Sequence, residues 1–126
     1  FQQKGLLKSV TATATKEMTQ SATIDEIKHK LDRVVAKYAE RLSDEATSIV
    51  HDTYLHLFEG VEGTLIEQDA NLVEVLEKDF NVTLPQAIST NKTVDQVRDV
   101  VVDMQTKLTR AQTLIEKAEK SRKDVF

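Results

Sequence analysis

TVDQVRDVVVDMQTKLTRAQTLIEKA, residues 93–118, places an apolar side chain at Val94, Val97, Val101, Met104, Leu108, Ala111, Ile115 and Ala118. The intervals alternate between three and four, the period of about 3.5 residues expected of a helix that packs along a single coiled-coil seam. Val100 and Leu114 lie beside that seam and widen the apolar face, which favours a bundle of more than two helices over a two-stranded coil. Thr93 and Gln96 have the spacing of a capping box, and Asp95 adds charge of the stabilising sign to the first turn. A helix is therefore predicted from about 94, within a segment 93–126.

The composition extends that reading to the whole chain. Its 126 residues include one proline, three glycines and 30% charged side chains, which suits one domain built from long helices. There is no cysteine, so no disulfide or thiolate zinc site can form, and an intracellular, reducing compartment is compatible. Purely apolar runs reach three residues, as at Val100–Val102, so no transmembrane segment is expected.

A second capping box is read at Thr23 and Glu26, which predicts a helix from 24 to about 59, bent near Ser43. Its apolar positions are Ile27, Leu31, Val34, Tyr38, Leu42, Ala46, Ile49, Val50, Leu57 and Phe58. Gly60 and Gly63 are expected to loosen or end it. LIEQDANLVEVLEKDF, residues 65–80, keeps helical spacing, and Asn81–Asn91, with Pro85, reads as the one substantial connection. Residues 1–22 form a tail or a short helix. The expected fold is all-α: an elongated helical hairpin or bundle, with a region 23–92 leading into a C-terminal heptad, or coiled-coil, helix.

Charge is unevenly distributed. Residues 1–41 carry +3, residues 44–79 carry −9 and residues 80–126 carry +2. So acidic a middle argues against a general nucleic-acid binder, and an electrostatic partner should be basic. Glu67, Glu74 and Glu77 are candidates for an acidic docking face, with a plain solvating surface as the alternative. Lys28, Lys30, Arg33 and Lys37 flank the apolar face of the first helix and supply a second reading, an amphipathic helix on a lipid surface.

Chemistry is sparsely provided for. Asp52, His56 and Glu59 share a face of a regular helix, but no second cluster completes a metal shell. Neither a nucleophile elbow nor a phosphate loop occurs. No catalytic, cofactor-binding or metal-binding residue is assigned, and an enzyme is not expected.

NKTVDQVRDVVVDMQTKLTRAQTLIEKAEK, residues 91–120, preceded by an acidic helical segment and a proline-containing connection, resembles the Nsl1 (Mis14) subunit family of the Mis12 kinetochore complex. Val97, Val101, Thr106 and Ala111 carry the match. The resemblance implies a helical head leading into a coiled-coil stalk shared by several chains, and a nuclear, kinetochore location. The combined expectation is a structural subunit that packs its heptad helix against other protein chains, as a homo- or hetero-oligomer. Val94, Val97, Val101, Met104, Leu108, Ala111, Ile115 and Ala118 would be the partner-binding residues.

Overall fold

The computed structural model describes residues 19–125, with side chains as far as Ser121; the expectations for residues 1–18 fall outside that range. Among the described residues, four helices follow one another up and down around a common core. Helix α1 is Gln20–Ala39. Helix α2 comprises Ser43–Thr53, a π-helical turn Tyr54–Phe58, and Glu59–Gln68. Helix α3 comprises Ala70–Lys78, a second π turn Asp79–Thr83, and Leu84–Ser89. Helix α4 is Val94–Val125. Each of α1 and α3 packs between α2 and α4, and the core is one continuous apolar cluster from Ile24 to Ile115. The fold is an all-α bundle.

The capping box at the start of α4 forms as read. Thr93 N donates to Gln96 Oε1 at 2.9 Å, and Gln96 N donates to Thr93 Oγ1 at 3.1 Å. At α1 the box read at Thr23 and Glu26 does not form, and the cap lies one turn earlier. Thr19 is the cap, accepting from Ala22 N at 3.0 Å, while Thr23 lies inside the helix with its hydroxyl on the Thr19 carbonyl. The extra turn carries Ser21, which bonds to Glu116 and Gln112 of α4, and those tertiary bonds favour the longer helix.

The single helix expected over 24–59 is two helices. Arg41 takes a left-handed φ of 67°, and Leu42 N reaches back to the Lys37 carbonyl, so α1 closes in a Schellman turn and the chain reverses. Ser43 is the first residue of α2 and makes no cap. Gly60 and Gly63 do not end α2, which runs through both to Gln68. The break comes at Asp69, whose side chain accepts from Leu72 N at 3.1 Å and caps α3.

Pro85 is also misread as a connection. It sits at the start of Leu84–Ser89, directly after the second π turn, where a missing N–H interrupts least. The connection is Thr90–Thr93, with Asn91 at a φ of 57° in a second Schellman turn.

Both π turns answer to the spacing of the core. Thr53 and Phe58 are buried five residues apart, about 140° out of phase on a straight α-helix. In α3, Leu76, Phe80, Leu84 and Ile88 are all buried at intervals of four, a drift of about 120°. A widened turn absorbs one residue in each helix and returns the next apolar side chain to the core. The two turns meet: Phe58 and Phe80 have ring centroids 5.3 Å apart, and Tyr54 lies 5.8 Å from each.

Candidate interaction surface

The heptad stripe of α4 faces its own chain. Val97, Val101, Met104, Leu108, Ala111 and Ile115 are buried among the other three helices, and Val94 and Ala118 are half-buried at the two ends. The flanks are equally committed. Toward α1, Gln105 Nε2 donates to the Lys28 carbonyl at 2.9 Å and to Asp32 at 2.8 Å. Gln112 Nε2 donates to the Ser21 carbonyl and to Asp25, both at 2.8 Å. Toward α3, Lys107 Nζ lies 2.8 Å from Asp79, and Arg110 lies 3.6 Å from Asp69. The expectation of a partner-binding seam is corrected on this point. Three neighbouring helices already cover its inner positions, and a partner could reach them only by opening the bundle.

The linear charge segregation becomes a spatial one. The α2–α3 hairpin carries ten carboxylates against the single ammonium of Lys78, a net −9. Three of the ten are matched across the bundle: Asp79 by Lys107, Asp69 by Arg110, and Glu45 by Lys37. Asp44, Asp52, Glu59, Glu62, Glu67, Glu74 and Glu77 make no salt bridge among the described residues. Of the three docking candidates, Glu67 and Glu74 are exposed. Glu77 is half-buried, and Tyr54 Oη donates to it at 3.3 Å.

Glu62 was not singled out from sequence, yet it is the most perturbed acid of the hairpin. A hydrogen bond with Glu77, then partial burial and the charges of Glu77 and Glu59, push its carboxyl up to about 7. Burial and the neighbouring Glu62 also raise the Tyr54 phenol. The spacing of Glu59 and Glu62 one turn apart on α2 is visible in the sequence, but the pairing of Glu62 with Glu77 depends on the hairpin closing. Large apolar side chains stand exposed on the same hairpin, among them Leu55, Val75 and Ile66, which is 52% exposed.

The remaining candidates separate. Asp52 and His56 line a groove between α1 and α2 with Lys30 and Arg33, whereas Glu59 lies beyond the π turn, one turn from Glu62. Among the described residues, no group of three or more His, Cys, Asp or Glu could hold a metal ion. Of the four cations of the lipid reading, Lys28 departs, bonding to Thr109 and Gln112 of α4, while Lys30, Arg33 and Lys37 lie along the α1–α2 side, where Lys37 pairs with Glu45. Among the described residues, no helix is long and apolar enough to cross a membrane.

Comparison of the chain with protein-family models, curated proteins and solved structures gave no match.

Proposed function

We propose that this protein is a non-enzymatic assembly subunit that recruits a basic protein partner through its α2–α3 hairpin. The observation that carries the reading is the hairpin itself: Glu59, Glu62, Glu67, Glu74 and Glu77 make no salt bridge among the described residues, and Leu55, Ile66 and Val75 stand exposed on the same two helices. Exposed apolar side chains in a field of one sign supply both contact area and steering for an oppositely charged surface. The heptad helix contributes indirectly, as the spine on which the hairpin is held. Membership of a kinetochore-like complex rests on the resemblance of residues 91–120 alone. The lipid-surface reading has less support, because two of its four cations, Lys28 and Lys37, engage this chain's own side chains.

The test is a titration with a basic amphipathic helical peptide at low and high salt, comparing the wild type with the triple variant Glu67→Lys, Glu74→Lys, Glu77→Lys. The expected result is salt-sensitive binding that the variant loses while keeping its helical circular dichroism. Equal affinity in both proteins across the salt range would overturn the reading. Flotation with anionic vesicles by the wild type would support the lipid surface instead.

A further inference from the structure

A second surface of opposite character lies where α3 passes α4. A groove of about 620 Å³ runs between them, with Val82, Ala87 and Val100 along its apolar part and the ammonium groups of Lys78 and Lys92 beside it. Val82 is 47% exposed, on the side of the helix away from buried Phe80 and Leu84. Lys78 is the only cation between Arg41 and Lys92 in the sequence, and it falls on this groove instead of among the hairpin's carboxylates. Among the described residues, no acidic residue lines the groove and neither lysine makes a salt bridge.

The groove has a structural cause. The second π turn, Asp79–Thr83, widens α3 directly behind Lys78, and Leu84–Ser89 then ends in the Schellman turn at Asn91. Tyr38 of α1 donates its hydroxyl to the Lys92 carbonyl, which holds this connection against the bundle. From Lys78 to Ser89 the helix advances about 16 Å at ~1.5 Å per residue, so Lys78 lies well back along α3 from the connection that carries Lys92.

We infer that the α3–α4 groove docks an acidic amphipathic helix of a partner protein. Apolar anchors of that helix would sit over Val82, Ala87 and Val100, and its carboxylates would meet Lys78 and Lys92. The apolar strip suits the i, i+3, i+7 anchors of helix-in-groove recognition, and the two cations fix the charge of the occupant and its placement along the groove. The chain's own residues 1–18 have the wrong sign for this site, with Lys4, Lys8 and Lys16 against Glu17. The groove is distinct from the acidic hairpin face and needs no contribution from it.

The experiment is a titration of the full chain, labelled for amide NMR, with a panel of acidic amphipathic helical peptides and a basic peptide of the same apolar pattern. Saturable shifts at Val82, Thr83, Gln96 and Val100 are expected with the acidic peptides and not with the basic one. The exposed-site variants Lys78→Glu with Lys92→Glu should weaken the acidic peptide by about tenfold or more. Val82→Glu, whose position tolerates a polar side chain, should abolish its binding without altering helicity. No saturable binding, an affinity indifferent to the charge reversal, or shifts mapping to the hairpin face would each overturn the proposal. So would two other occupants: self-association of the protein that Val82→Glu removes, or saturation by a fatty acid that the peptides do not displace.

Discussion

Lys107 on α4 places its ammonium 2.8 Å from the carboxylate of Asp79 on α3, and Asp79 is only 6% exposed. Burial by itself would lower the Lys107 ammonium, but Asp103 and Asp79 hold it above its ordinary value. The pair fixes the register of α3 against α4 beside the second π turn. Lys107→Met would leave the Asp79 charge buried without its partner and should cost up to about 3 kcal/mol, since a quarter of Lys107 still meets water. Replacing both, with Asp79→Leu, should recover most of that loss. A double-mutant cycle in urea measures the difference.

Stability should fall as pH rises through the interval set by Glu62. Its carboxyl, near 4.5 when unfolded and about 7 when folded, binds its proton more tightly in the native state. Between those values the folded protein carries the extra proton, so raising the pH removes stability, and the loss is complete above 7. Glu77, Glu59 and the Tyr54 phenol are the groups that face it, and no cation is among the causes of its shift. Glu62→Gln should flatten the slope between pH 4.5 and 7 and raise the melting temperature above pH 7. Thermal melts across that range are the check.

Two threonines four residues apart compete to start α1, and substitutions should rank them. Thr19→Ala removes the cap and should cost about 0.5 to 2 kcal/mol, as should Thr93→Ala at the start of α4. Thr23→Ala, inside the first turn, should cost clearly less. Equal losses at Thr19 and Thr23 would place the start of the helix later. Chemical denaturation of the three variants measures the order.

Where the two π turns meet, Phe80 touches both Tyr54 and Phe58. Phe80→Ala should cost about 3 to 5 kcal/mol, because the cavity opens between two helices that cannot easily close on it. The near-ultraviolet dichroism of Tyr54 should weaken with it. Phe80→Leu should retain most of the stability.

Much of α4 is legible in the sequence because a single period and a single cap decide it. The intervals from Val94 to Ala118 and the pair Thr93 and Gln96 specify the helix and its buried face without reference to the other helices. The hairpin is harder to read. Five residues from Thr53 to Phe58, and three successive steps of four from Leu76 to Ile88, already signal a widened turn. They are easily taken for an ordinary loose helical pattern unless the phase is counted. Arg41 gives no glycine signal for the left-handed turn it makes, so the reversal after α1 is carried by tertiary packing. Pro85 reads as a breaker because its neighbours along the chain show nothing of the π turn before it. Charge segregation is visible as a run, but its meaning as one face of a bundle depends on α2 and α3 pairing. The face covered by the α4 stripe could not be settled by periodicity, since a seam closed within the chain and one shared between chains leave the same pattern.

That distinction is the most direct test of the fold described for α4. Analytical ultracentrifugation and circular dichroism over a hundredfold dilution compare a bundle closed within one chain with a seam completed by a second. A self-contained bundle should keep a monomer mass, undiminished helicity and a constant melting temperature, because no partner contributes by mass action. Helicity and melting temperature that fall together on dilution, as a larger species dissociates, would show instead that Val101, Leu108 and their neighbours are covered by another chain.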